Sequence, residues 1–175
     1  MKIPVFVSCP TTLNDRQRAC RQLIDAELER FGLEARAIGK SDYPTDVPLR
    51  EVLVLAKHCA GGVILGFEQF QATAGTWKRG TDKAAPAGKP ICFPSPWNNL
   101  EAGILFGLGL PLLIFRESED ISGGIFDEGT SEAFVQLMLP PDSSSEARQA
   151  LTDVFLKWQA RVRARYYGEI NIRSF

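Results

Sequence analysis

Two periods organise the apolar positions of the chain. Ile3 to Ser8 (IPVFVS) is a β-branched and aromatic run closed by Pro10, and it predicts a buried first strand. From Leu13 to Phe31 the spacing changes. Leu13, Cys20, Leu23, Ile24, Ala26, Leu28 and Phe31 suit one helix face, with Thr12 or Asn14 as cap and Gly32 as terminator. Leu33 to Ile38 alternates, as a strand near a sheet edge does. A polar loop, Gly39 to Asp46, leads to a helix from about Val47 to Cys59. Gly61 to Gly66 and Leu110 to Phe115 are apolar throughout, which predicts strands buried on both faces, and Trp97 to Leu108 between them reads as a helix. Glu132 to Leu139 is a short helix or strand. A final helix, Glu146 to about Tyr167, is capped at Ser143, Ser144 or Ser145 and sets Leu151, Val154, Phe155, Trp158 and Val162 on one stripe.

Strands alternating with helices predict a single α/β domain over 1–175. Its sheet is open, mostly parallel, of four or five strands with helices on both faces. In such sheets ligands bind beyond the carboxyl ends of the strands, near a switch in strand order. The loops at Ser8–Asn14, at Gly39–Asp46 and after Gly66 should therefore border one crevice with the start of the Trp97 helix. Phe67 to Pro96 shows little periodicity and is expected to be a long loop, a kind more often functional than idle.

A net charge of −1 supplies no general affinity for polyanions, so no nucleic-acid partner is expected. Ile104 to Phe115 is the most apolar stretch, and it is far short of the ~20 residues that a membrane span needs. Met1 to Ser8 lacks the pattern of a signal peptide. Four scattered cysteines without a CxxC pair, and one histidine, give no metal-ligand spacing. A cytoplasmic protein with reduced, buried thiols, no metal and no resident cofactor is expected. The basic residues of Lys157 to Arg173 read as the solvated side of the last helix.

Several residues bear on chemistry. Ser8, Cys9, Pro10, Thr11 and Thr12 offer hydroxyls and backbone amides at a helix N-terminus, suited to phosphate or sugar hydroxyls or to a plain cap. Neither GxGxxG nor GxxxxGK[ST] occurs. Glu101 is the sharpest signal: a carboxylate one turn inside a helix whose neighbours are small or apolar, with Gly103 leaving room for a ligand's ring. Such a group is desolvated and altered in proton affinity, unless it is only a first-turn glutamate favoured by the helix dipole. Tyr43, Phe67 and Trp97 can stack on a base or pack, and Gly66 opens the loop between them. Asn98 can bond a ribose hydroxyl or cap its helix. Asp42, Glu68 and Asp127 are candidate proton donors by location.

Ser95-Pro96-Trp97-Asn98-Asn99-Leu100-Glu101 resembles the S-x-W-C-x-x-E motif of TIR domains, with Asn98 where that family usually has Cys. Leu100 to Ile104 followed by Leu110-Pro111-Leu112 is also similar to a segment of nucleoside 2-deoxyribosyltransferases. Cys59 to Gly66 resembles the third strand of that group, with Ala60 where Asp is common, and IPVFVSCP fits the first strand of either. The likeness covers Ile3 to Phe115.

It implies a flavodoxin- or Rossmann-like sheet and Glu101 as the catalytic residue. The implied reaction is cleavage of a ribosyl N-glycosidic bond in NAD or a related nucleotide. Ser8, Pro10, Thr11, Tyr43, Gly66, Phe67, Trp97 and Asn98 are then the substrate-binding residues. Nucleoside 2-deoxyribosyl transfer or nucleotide N-hydrolysis, and a non-catalytic nucleotide-sensing or assembly module, are the other roles it implies. A nucleotide or nucleoside is the expected small-molecule partner, and a homo-oligomer the expected assembly.

Overall fold

The computed structural model describes residues 2–38 and 47–172, the last four of these by backbone alone. In chain order the elements are β1 (Ile3–Ser8), α1 (Asp15–Arg30), β2 (Leu33–Arg36), α2 (Pro48–Ala56) and β3 (Gly62–Gly66). Four short strands follow: β4 (Phe70–Ala72), β5 (Thr76–Trp77), β6 (Ala85–Pro86) and β7 (Ile91–Phe93). Then come α3 (Pro96–Gly107), β8 (Leu112–Arg116), β9 (Phe134–Leu137) and α4 (Ser145–Ile172). The main sheet has five strands in the order β2-β1-β3-β8-β9, every neighbouring pair parallel. The expected open α/β architecture is present, and Glu132–Leu139 resolves as the fifth strand.

The period of two decides which side chains form which core. Val5, Val7, Val63, Leu65, Leu113 and Phe115 face α1 and α4, where Ile24, Leu28, Phe155, Trp158 and Val162 cover them. Their neighbours Phe6, Ile64, Leu112 and Ile114 face α2 and α3, against Val52, Leu55, Ala102 and Leu105. β1, β3 and β8 are apolar along their length up to their carboxyl ends, where Ser8 and Arg116 stand, because both faces are covered. Burying one such side chain contributes about 1.5–3 kcal/mol. Close packing over β3 requires glycine: a Cβ at Gly61 would stand 2.6 Å from Val162, and one at Gly62 2.7 Å from Leu105.

Local signals set the ends. Asn14 caps α1 in a reciprocal box with Gln17, and Gly32 at φ +70° reverses the chain into β2. The segment Phe67 to Pro96, expected to be a structureless loop, holds two nested antiparallel pairs, β4 with β7 and β5 with β6. Strands of two or three residues are too short to show an alternation to read. The switch in strand order lies between β1 and β3, whose crossovers go to opposite faces, so a crevice is expected beyond the ends of these two strands.

Among the described residues no helix is long and apolar enough to cross a membrane. Cys9, Cys20, Cys59 and Cys92 form no disulfide. The basic last helix is structural where it meets the body: Arg161 donates to the Glu132 carbonyl and lies over the Phe134 ring, while Arg165 donates to the Leu108 and Gly109 carbonyls at the end of α3.

A carboxylate cavity at the carboxyl end of the sheet

At the end of β1 the chain turns outward through Ser8, whose side chain is buried. Directly across stands the first turn of α3. Ser95 is its N-cap, accepting the Trp97 amide at 3.3 Å, and Pro96 takes the first helical position, where its missing N–H is no loss. Asn98 is therefore free of the capping role considered for it. Instead its Nδ2 donates to Ser8 Oγ at 2.8 Å, and its own Oδ1 is buried with no hydrogen-bond partner. Glu101 follows three residues later, on the same helix face as Asn98.

Ser8, Asn98 and Glu101 thus meet on one wall of a cavity of about 330 Å³. Cys9, Pro10 and Thr11 from the first loop, with Ser95 and Trp97 from the start of α3, line it as well. Ile38, Pro48, Val52 and Gln69 complete the described walls. Burial lifts the Glu101 carboxyl above its ordinary range, and a hydrogen bond from the Ser8 hydroxyl pulls the other way. The Asn98 amide holds the Ser8 hydroxyl in place, and that hydroxyl lies beside the Glu101 carboxyl.

Of the residues singled out from sequence, Ser8, Pro10, Thr11, Trp97, Asn98 and Glu101 are brought together here. Gly66 and Phe67 are not. Gly66 sits beneath the Phe126 ring, and Phe67 is wholly buried in the core shared by α1 and α4. Both stand at the carboxyl end of β3 as expected, yet they face the packing. Gly103, expected to leave room beside Glu101, lies on the outer surface of α3 with nothing near the position of a Cβ. Tyr43 and Asp42 lie outside the described residues. Glu68 gives its amide to Glu117 Oε2 at 2.7 Å, and Asp127 accepts the Gly123 amide at 2.8 Å; neither lines the cavity.

The first loop also differs from a free anion cradle. Asn14 Oδ1 takes the Gln17 amide at 2.9 Å and Gln17 Oε1 takes the Asn14 amide at 3.1 Å, so the capping box satisfies two donors internally. Sequence reasoning missed Ser95, Gln69, Ile38, Pro48 and Val52 as lining residues. Ser95 before Pro96 carries a capping signal that locates it. Gln69 carries none, because the turn that delivers it is set by the β4–β7 pairing.

A larger cavity, about 660 Å³, lies at the opposite end of the sheet between Phe106, Leu110, Arg161 and Arg165. Its guanidinium groups are engaged with the backbone carbonyls named above, which makes it a seam between α3, α4 and the 129–133 loop. The smaller cavity gathers Ser8, Asn98 and Glu101. Among the described residues that line it, Glu101 is the one carboxylate, and no His, Lys or Arg joins it. Among the described residues no cluster of His, Cys, Asp and Glu is arranged to hold a metal ion. No protein-family model matches the chain, and a comparison with curated proteins likewise finds no match.

Proposed function

We propose that this chain cleaves the ribosyl N-glycosidic bond of NAD or a closely related nucleotide, with Glu101 as the catalytic carboxylate. The observation that carries the reading is a desolvated carboxylate in a sugar-sized cavity, beside the hydrogen-bonded Ser8–Asn98 pair, with no second carboxylate on the described walls. The cavity volume is at the low end of the roughly 300–1,000 Å³ of small-molecule sites, room for a ribosyl group and its base. The likeness of Ser95 to Glu101 to the TIR motif points the same way.

The chemistry follows from the charges. The bond from the anomeric carbon to the ring nitrogen breaks, and its electron pair leaves with nicotinamide, which becomes neutral. The ribosyl carbon becomes oxocarbenium-like, and the Glu101 carboxylate beneath it stabilises that charge or bonds to it, as in retaining glycosidases. Water then adds to the anomeric carbon and releases a proton, giving the free ribosyl product. A neutral purine or pyrimidine leaves only after protonation. The absence of a second acid on the described walls therefore favours a leaving group that is already cationic. Asn98 Oδ1 supports binding of a ribose hydroxyl, since a buried unpaired acceptor costs about 1–3 kcal/mol until something donates to it. Trp97, at the rim, is placed to stack on the base.

The test is nicotinamide release from NAD by the purified full chain, followed by chromatography. Glu101→Gln keeps the shape and removes the charge, and a loss of about 10²–10³-fold is expected. Equal turnover by Glu101→Gln and the parent, or none by either, overturns the reading. A second free base in the mixture separates hydrolysis from transfer, because only transfer forms a new nucleoside.

A further inference from the structure

The larger cavity, at the amino ends of β8 and β9, is built unlike the Glu101 cavity. Leu110 and Leu112, both buried, and Phe106, 56% exposed, give it an apolar side. The loop 129–133 supplies another wall, and Arg161 and Arg165, one turn apart on α4, supply positive charge. At about 660 Å³ it falls well inside the roughly 300–1,000 Å³ of small-molecule sites. Such sites combine apolar walls with a few polar groups that fix a ligand's orientation.

The two guanidinium groups differ in what they have left to give. Arg165 closes the end of α3, donating from both terminal nitrogens to the Leu108 and Gly109 carbonyls at 3.0 Å. Arg161 gives one of its five N–H donors to the Glu132 carbonyl at 3.2 Å, and its Cζ lies 4.7 Å from the centre of the Phe134 ring. Glu132 lines the same cavity, but it meets Arg161 through its backbone carbonyl and not through its carboxylate. Among the described residues no acidic side chain pairs with Arg161. A ring and a carbonyl thus hold a planar cation in place while most of its donors stay available, the arrangement that suits a carboxylate.

We propose that this cavity is a second small-molecule site, taking an organic monocarboxylate whose head meets Arg161 and whose apolar body lies along Phe106, Leu110 and Leu112. Ordering Arg161 beforehand lowers the entropic cost of binding, because a long side chain need not be fixed by the ligand. The Glu132 carboxylate on the same walls selects against a dianion such as a phosphate monoester, whose second charge it repels. No residue lines both this cavity and the Glu101 cavity. The inference therefore does not depend on the glycosidic reading, and its readout is binding rather than turnover.

Octanoate is the probe, titrated into the isotopically labelled full chain of 19.3 kDa and followed by amide NMR shifts. Saturable shifts at Gly109, Leu110, Leu112 and Gly129–Ala133 are expected, with half-saturation below about 1 mM. Acetate, which has the head alone, and 1-octanol, which has the body alone, should each bind at least about 10-fold more weakly, and octyl phosphate no better than octanoate. Arg161→Gln should weaken octanoate at least about 10-fold and leave 1-octanol unchanged, whereas Phe106→Ala should weaken both. Unchanged circular dichroism checks each variant, and the parent's shift map stands as a test whether or not a variant folds. Absence of saturable shifts up to about 5 mM, or shifts confined to other parts of the chain, overturns the proposal. So does 1-octanol or octyl phosphate binding more tightly than octanoate, or a folded Arg161→Gln protein that binds octanoate as the parent does.

Discussion

Gly66 offers a decisive measurement, because sequence places it beside a ligand and structure places it under a ring. A Cβ there would run into Phe126 Cε1, stand 2.8 Å from Phe126 Cζ, and lie 3.0 Å from the Phe115 carbonyl oxygen. Phe126 is fully buried, and the turn at Gly124–Phe126 that carries it is tied to α3 by the Ile125 amide donating to Asn99 Oδ1 at 3.2 Å. Gly66→Ala should gain about 0.5–1 kcal/mol from reduced backbone freedom in the unfolded chain. Against this stands overpacking of a core ring, about 1–3 kcal/mol. The clash wins, and a net loss of about 1–2 kcal/mol is expected.

The ring can be removed to prove the cause. Phe126→Ala alone should cost about 3–5 kcal/mol, a large part of the 5–15 kcal/mol that typical domains possess. In that background Gly66→Ala no longer meets the ring and keeps only the tight approach to the Phe115 carbonyl. The double variant should then be less destabilised than the sum of the singles by about 1–2 kcal/mol. Urea denaturation of the four proteins, compared at a common slope, measures this coupling. Additive effects, or a Gly66→Ala protein within 0.5 kcal/mol of the parent, would show that the glycine is not there to admit Phe126.

Three shorter predictions follow from the same contacts. Burial raises the Glu101 carboxyl's proton affinity in the folded chain, so the charged form opposes folding. Glu101→Gln should therefore be more stable than the parent near neutral pH, with the difference shrinking as pH falls and vanishing below the unfolded value of about 4.3, measured by urea titration at each pH. Ser8→Ala leaves the buried Asn98 Nδ2 without its acceptor and should cost about 1–3 kcal/mol in thermal denaturation, more than Thr11→Ala at the exposed rim. Gln17→Ala breaks the capping box and the bond from Nε2 to Glu117 Oε2, and a loss of about 2 kcal/mol is expected in the same assay.

Apolar patterning made the scaffold legible. The continuous runs at Gly61–Gly66 and Leu110–Phe115 could belong only to strands covered twice, and the stripe through Phe155 and Trp158 fixed the last helix. At the candidate site, the loop after β1 and the start of α3 were legible because the topology sends both to the same end of the sheet. Side-chain direction was not. Gly66 and Phe67 follow a strand that ends at the crevice, but the two-residue period points one at α3's side of the sheet and the other at α1's. Gly103 was read as space beside Glu101, although two steps along a helix turn a residue well away from its neighbour. The hairpins between Phe67 and Pro96 owe their form to pairing with each other, which no local pattern announces.

The energetic situation of Glu101 sets a condition on its ligand. A carboxylate removed from water, helped by one hydroxyl, is stabilised most by a positive charge placed against it. On the proposed reading, a cationic nicotinamide ring would supply that charge in the ground state and the oxocarbenium-like carbon would supply it closer and later, so that stabilisation grows toward the transition state. The same argument gives a sign. A cationic ligand prefers the ionised carboxylate, so its binding should strengthen as pH rises through the Glu101 titration and should release a proton below it. The reduced dinucleotide, nearly the same shape but with a neutral ring, only buries the carboxylate further, and its affinity should stay level or weaken over that range. Calorimetric titration with a carbocyclic NAD analogue, whose ring stays cationic and whose scissile bond is not glycosidic, compares the two without turnover. Glu101→Gln should abolish the difference in slope. If the oxidised analogue and the reduced dinucleotide respond to pH alike in the parent, the charge on the base is not what this carboxylate reads, and the case for a cationic leaving group goes with it.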